Sequence, residues 1–414
     1  MYISYLNLFQ THTDYEMYLA GNNTIPNVSY CTGQNHVHYL RTNNNPNKPS
    51  ILTKNYLTTV ARENGTISFN ICNDMGTEYI TSISYSTDNG ETWITTNNTN
   101  NKSEHLVITV NVSKGDKVMW KGNATQTAYY DNDDISNFSS TCEFDVRGNI
   151  MSLLYGDNFD KQTTIIPNGC FYHLFGNFTG NSPKIVNASM LILPATTLSE
   201  NCYYSMFEGC TSLINAPKLP ATTLAKNCYS GMFRGCTSLV TAPELHATTL
   251  AELCYYEMFK GCTSLINAPK LPATTLTVNC YYGMFSNCTS LINAPKLPAT
   301  ELTRGCYQYM FQNCISLTTA PTLPAITLIQ YCYLYMFKGC TNLNYINAMF
   351  TTTPSRTYTQ NWVEGVAATG TFIKNPTATW NVTGLHSVPV GWQINNFVPE
   401  NYLTFNILSD GIIN

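Results

Sequence analysis

The chain has 414 residues, of which only 11% are charged, and a net charge of −4. A typical soluble domain is about a quarter charged, so Asn, Thr and Ser must carry the surface polarity here. No Lys/Arg run is available to meet phosphates, and no apolar stretch approaches 18 residues, so neither a nucleic-acid partner nor a membrane span is predicted.

Residues 1–50 read as an N-terminal attachment or assembly segment. Met1 to Phe9 lacks a basic n-region and a long apolar h-region, so it is not expected to be a secretory signal. Thr13-Asp-Tyr-Glu16 is a capping box opening a short helix. Asn27 to Cys31 and His36 to Leu40 then read as short strands. His36 and His38 share one strand face, but a lone His-x-His pair is weak as a metal site, and no metal or cofactor is expected.

Residues 51–148 read as an all-β, immunoglobulin-like sandwich. Alternating runs at Thr66 to Ile71, Ile80 to Tyr85, Leu106 to Val112 and Lys117 to Trp120 are separated by Asn/Asp/Gly turns. Ser86-Thr-Asp-Asn-Gly-Glu-Thr-Trp93 fits the Asp-box pattern of sialidase propellers. As a single copy without a propeller repeat, it reads as a tight hairpin turn, not as part of a glycosidase. Residues 149–193 are expected to cap a repeat array that begins at 194, because Cys170-Phe-Tyr-His-Leu-Phe175 imitates the motif of that array without its second Cys.

From 194 to 349 the chain repeats. Twelve of the sixteen cysteines form six pairs (202/210, 228/236, 254/262, 280/288, 306/314, 332/340), eight apart and recurring every 26 residues. A period of that size means stacked units that bury their apolar sides against one another. With the first Cys as position 0, apolar positions 0, 1, 4, 5 and 8 predict one face of a two-turn helix. Position 7 (Gly209, Gly235, Gly261, Asn287, Asn313, Gly339) is always Gly or Asn, which predicts a left-handed residue ending it. Leu, Ala and Leu follow at 11, 14 and 17. Pro217, Pro243, Pro269, Pro295 and Pro321 at position 15 limit the accompanying strand to a few residues. The expected class is α+β: a solenoid of 26-residue units, short strand plus short helix, behind the sandwich. Equivalent cysteines would lie about 5 Å apart at strand spacing. That distance is compatible with rung-to-rung disulfides, but buried free thiols are the preferred reading, and no CxxC or paired His suggests zinc. Residues 350–398, with Trp362, Trp380 and Trp392, read as a C-terminal cap. Residues 399–414 read as an orphan strand, since Asn401-Tyr-Leu-Thr-Phe405 echoes Asn55-Tyr-Leu-Thr-Thr59, available to pair with another subunit.

The motif Met-Phe-x-Gly-Cys-Thr-Ser-Leu, with Leu-Pro and a later Leu, resembles the BspA-like (treponema-type) leucine-rich repeats. Met-Phe stands where Ala-Phe is usual, and Ala-Pro-x-Leu-Pro replaces Ile-x-Ile-Pro. The resemblance implies a non-enzymatic binding or adhesion scaffold, similar to those of bacterial surface proteins and of virion proteins. The leader (Thr11-His-Thr-Asp-Tyr-Glu16, Pro26-Asn-Val-Ser-Tyr-Cys31, His36-Val-His-Tyr39) is similar to the start of structural proteins from bacteriophages of gut bacteria, including crAss-like phages.

No catalytic constellation appears: His12, His36, His38, His105, His173, His246 and His386 are scattered, and no paired carboxylates or Gly-rich phosphate loop accompany them. The two resemblances, with no secretory signal expected, imply a bacteriophage virion fibre or a capsid or tail decoration protein. It would assemble in the host cytoplasm and bind a host-surface or gut glycan or protein. The alternative is a bacterial cell-surface adhesin. Partners would be further subunits, a homo-oligomer among them, reached through 1–50 and 399–414. The candidate ligand face is the exposed ladder at positions 12, 13 and 16: Ile214, Val240, Ile266 and Ile292 beside Asn215, Lys218, Thr241, Glu244, Asn267, Lys270, Asn293 and Lys296. A second candidate is an exposed aromatic ladder, Tyr204, Tyr256, Tyr282, Tyr309 and Tyr335, suited to sugar stacking or subunit contact.

Overall fold

The structure, a computed structural model, describes residues 54–71, 82–97, 106–122, 136–161, 168–177 and 183–398. The expectations for 1–50 and 399–414, including the His36/His38 pair and the orphan strand, lie outside them. Strands dominate and helices are few. Eight strands come first: β1 (Leu57–Ala61), β2 (Gly65–Ile71), β3 (Ser82–Ser86), β4 (Ile94–Asn97), β5 (Leu106–Val112), β6 (Lys117–Gly122), β7 (Asn137–Ser140) and β8 (Phe144–Asn149). They make two sheets, β5-β2-β7 and β4-β3-β6-β1-β8, and the latter is extended by β9 (Ile185–Ile192). Period-2 burial on β5 and β8 turns one face of each strand inward. Phe69 of β2, Phe138 of β7 and Trp120 of β6, all fully buried, meet between the sheets at centroid distances of 4.8 to 6.2 Å. The Asp-box segment is the β3–β4 hairpin: the Asp88 carboxylate accepts from Thr92 N, Thr92 Oγ1 and Ser86 Oγ.

The expected boundary at 148/149 is not a boundary of the sheet. β9 pairs parallel with β8 and is itself bridged at Asn187 to Asn215 of the first repeat. α1 (Ser152–Tyr155) and a 3-10 turn (Gly156–Lys161) lie between β8 and β9.

From there, each unit lies on the next in parallel register. Single-residue bridges link Asn215, Thr241, Asn267 and Asn293 at position 13, and Thr197, Thr223, Thr249 and Thr275 on another side. One-residue strands are what a proline at position 15 permits; the sixth unit has Asn347 there and forms a four-residue strand. The stack continues past 349 through three parallel strands, β10 (Tyr345–Ala348), β11 (Thr371–Lys374) and β12 (Gln393–Asn396), with α2 (Arg356–Thr359) between the first two. Residues 350–398 are thus further rungs of the same stack.

The short helix expected in each unit is absent. In a helix every N–H turns back along its own segment; here they alternate. Tyr204, Met206, Glu208 and Cys210 donate three residues back, whereas Tyr203, Ser205, Phe207 and Gly209 donate across to Cys228, Ser230, Met232 and Arg234 of the next unit. The backbone is left-handed at every fourth residue, as at Asn201 (φ 57), Ser205 (49) and Gly209 (73). The left-handed residue at position 7 is present in all six units, from Asn313 (φ 59) to Gly339 (φ 76). The segment is a ribbon of four-residue turns. Paired apolar residues at 0/1, 4/5 and 8 have a period of 4, which such turns satisfy without the drift of a 3.6-residue helix.

Columns of identical side chains fill the core. The position-5 phenylalanines from Phe207 to Phe337 stack at 5.6 to 5.8 Å, reached from Phe138 through Phe175 and closed by Trp362. The position-1 tyrosines Tyr203 to Tyr333 stack alongside at 5.8 to 6.0 Å. The hydroxyls of Tyr203, Tyr229, Tyr281 and Tyr333 are buried without a hydrogen-bond partner. An unmet buried hydroxyl costs about 1–3 kcal/mol. Tyr281→Phe is therefore expected to hold or raise stability, by up to about 1 kcal/mol, read as the urea midpoint.

The fourteen described cysteines are buried free thiols. At position 8 they work as donors: Cys210, Cys236, Cys262, Cys288, Cys314 and Cys340 give their S–H to the position-5 carbonyl of the preceding rung at 2.9 to 3.1 Å. Burial pushes the Cys288 and Cys340 thiols up to about 12. Such thiols form little thiolate and are poor nucleophiles.

Candidate functional site

Between the inward-facing leucines at 11 and 17, the first five rungs present positions 12, 13 and 16 outward. Ile214, Val240, Ile266 and Ile292 form a row of β-branched side chains, 40% to 51% exposed. Beside it runs the row Asn215, Thr241, Asn267 and Asn293, in register through the position-13 bridges. Asn293 Nδ2 donates to Asn267 Oδ1 at 2.7 Å, so these amides order one another. Lys218, Glu244, Lys270 and Lys296 form a third exposed row. The structure thus brings all eight proposed ladder residues onto one face. It offers aliphatic surface, amide and hydroxyl groups and a mainly cationic margin. The backbone beneath is held by rung-to-rung hydrogen bonds such as Ile214 N to Val186 O and Ile292 N to Ile266 O.

The tyrosine ladder differs from its expectation in two respects. It is interrupted where Ser230 replaces the aromatic residue, leaving a Tyr172–Tyr204 pair (4.7 Å) apart from Tyr256, Tyr282, Tyr309 and Tyr335. Its rings are half-buried, and most lie face to face at 4.6 to 4.9 Å, with only Tyr282–Tyr309 tilted. A ring stacked on its neighbour has already committed a face, so this ladder presents edges and hydroxyls rather than a sugar-stacking platform.

The gap in that ladder holds an ionic cluster that sequence reasoning missed. Arg234 bridges Glu208 and Glu257, each at 2.8 Å, and Lys260 meets Glu257 at 2.7 Å. Glu257 is nearly buried, so the pairing offsets its desolvation. The signal was present as opposite charges at position 6 of consecutive repeats, Glu208, Arg234 and Lys260. His173 lies 3.8 Å from Glu208. Burial, opposed by the Glu208 charge and reinforced by Arg234, brings its pKa down to about 4. A histidine lowered from about 6.5 keeps its neutral form in the fold while the unfolded chain takes up a proton. Its contribution is complete above pH 6.5 and is lost as pH falls towards 4. Thermal melts of the native chain should show a decline across that window, and His173→Gln should flatten it.

Among the described residues no group of three or more His, Cys, Asp and Glu is placed to hold a metal ion. No helix among them is long and apolar enough to cross a membrane. Comparisons with protein-family models, with curated proteins and with solved structures find no match to this chain.

Proposed function

We propose that residues 194–349 are a solenoid of the treponema-type leucine-rich class, carried by an immunoglobulin-like sandwich, and that its role is recognition without catalysis. On this reading the protein is a virion fibre or a capsid or tail decoration protein of a bacteriophage, and its position 12/13/16 face meets a host-surface glycan or protein. The observation that carries the reading is the face itself: one aliphatic, one amide or hydroxyl and one charged side chain in each of four successive rungs, in register on a rigid, hydrogen-bonded support. Repeat stacks present their binding surfaces in this way. The thiols favour the virion over an exported adhesin. Six of them serve as S–H donors, a role that requires the reduced state, and thiols stay reduced in a cytoplasm.

The test is binding of the full chain to glycan and host-envelope panels, beside a Lys270→Glu/Lys296→Glu variant. Both lysines are exposed, so stability should move by no more than about 0.5 kcal/mol, whereas ligand capture should fall at least tenfold. Unchanged capture by the variant removes this face from the reading. Detection of the protein in purified particles by mass spectrometry decides for the virion, and detection on bacterial envelopes decides for the adhesin.

A further inference from the structure

Three of the four charged residues on the position 12/13/16 face are lysines. Lys218, Lys270 and Lys296 are exposed, and none makes an ion pair among the described residues. Glu244, the exception, is 88% exposed in its side chain, and its one ion contact among them is His246 at 3.9 Å. The chain as a whole has a net charge of −4, so this cationic row runs against the balance of the molecule. The rungs that carry the lysines are also copies of one another: Ile-Asn-Ala-Pro-Lys-Leu-Pro stands at 214–220, 266–272 and 292–298. Where two of them adjoin, Asn293 Nδ2 donates to Asn267 Oδ1. That leaves the Asn267 amide nitrogen and the Asn293 amide oxygen to meet a ligand.

The make-up of the face separates a protein partner from a polymeric one. Protein interfaces are enriched in Tyr, Trp, Phe, Met and Arg and depleted in Lys and Glu. Positions 12, 13 and 16 of these four rungs hold none of the first group, and position 16 holds only the second. A folded partner also has no chemistry that recurs at the rung interval. A linear polymer running along the stack meets the same groups on successive rungs, about 4.8 Å apart. Laid on the amide row, it has branched aliphatic side chains against its C–H edges on one flank and ammonium groups on the other. Amides match hydroxyls, and ammonium groups match carboxylates. A nucleic acid requires a denser run of cations than three lysines.

We infer that this face binds a linear, carboxylated polysaccharide lying along the stack axis. The inference rests on the reading that this face is the binding face, and it names the ligand class.

Calorimetry of the full chain with oligomannuronates, from disaccharide to octasaccharide, tests it. The comparison is with β-mannan oligosaccharides of equal length, which carry a hydroxymethyl group in place of each carboxylate. The acidic series should bind about tenfold more tightly than the neutral one. Its affinity should rise with length until the chain spans the four rungs, about 15 Å, and fall as salt is added. Glu244→Lys completes the cationic row at an exposed site and should tighten binding by about fivefold, with an unchanged circular dichroism spectrum. Lys270→Glu/Lys296→Glu should abolish it. The inference is overturned if oligomannuronates fail to bind, if the neutral series binds equally, if Glu244→Lys brings no gain, or if polyglutamate binds as tightly. Any of these results, where the lysine variant still loses capture of a panel ligand, removes the ligand class and leaves the face. Capture indifferent to the lysine variant removes both.

Discussion

Gly148→Ala is expected to be among the most damaging single-methyl changes in the protein. Gly148 sits in β8 with φ +81, and a Cβ built there would overlap the backbone carbonyl oxygen of Tyr56. The left-handed backbone alone costs an L residue about 1–2 kcal/mol. The clash is with main chain, which no rotamer change relieves, so β1 or β8 must move as well. A total above about 3 kcal/mol results. The position magnifies the effect. β8 pairs with β1 on one side and with β9 on the other, and Gly148 is itself in register with Leu191. Because β9 is also the first support of the repeat stack, the variant should lower the melting transitions of sandwich and stack together, by roughly 5–10 °C. A loss confined to the sandwich would show that the sheet does not couple them.

Phe259→Ala is the largest change expected within the stack. The ring is fully buried between Phe233 at 5.6 Å and Phe285 at 5.8 Å, and its neighbours are held by their own rungs. Collapse onto the cavity is therefore limited, and the cost is about 3–5 kcal/mol. Stacked repeats gain stability from nearest-neighbour contacts, so the loss should divide the stack. Hydrogen exchange is expected to quicken first at rungs 228–236 and 280–288, ahead of the sandwich amides. Uniform acceleration across the whole chain would show instead that the stack unfolds as one block.

Much of this was legible in the sequence because it depends on period. Cysteine spacing gave the 26-residue unit, prolines at position 15 limited the strand, and Gly or Asn at position 7 marked a left-handed residue. The outward positions 12, 13 and 16 followed from the inward leucines at 11 and 17. The conformation between the cysteines was not legible, since two turns are too few to separate a period of 3.6 from one of 4. The deciding residues were also disguised: Leu253 (φ 58), Tyr331 (φ 62) and Tyr335 (φ 55) occupy left-handed positions that such side chains rarely take. The tyrosine ladder misled for a related reason. Tyr204, Tyr256 and Tyr282 stand at position 2, but Tyr309 and Tyr335 stand at position 3, and only the ribbon geometry shows that their rings meet. The joint between β8 and β9 spans residues 150–184, where no periodicity signals a shared sheet.

The central claim is that units 26 residues apart lie directly over one another as successive rungs. Spin labels placed by non-canonical residues at exposed Thr197 and Thr327, five units apart, measure this by double electron–electron resonance without touching the buried thiols. At about 4.8 Å per rung the stack predicts a narrow distribution near roughly 24 Å. A broad distribution, or a maximum beyond about 35 Å, where five rungs at strand spacing cannot reach, would contradict it.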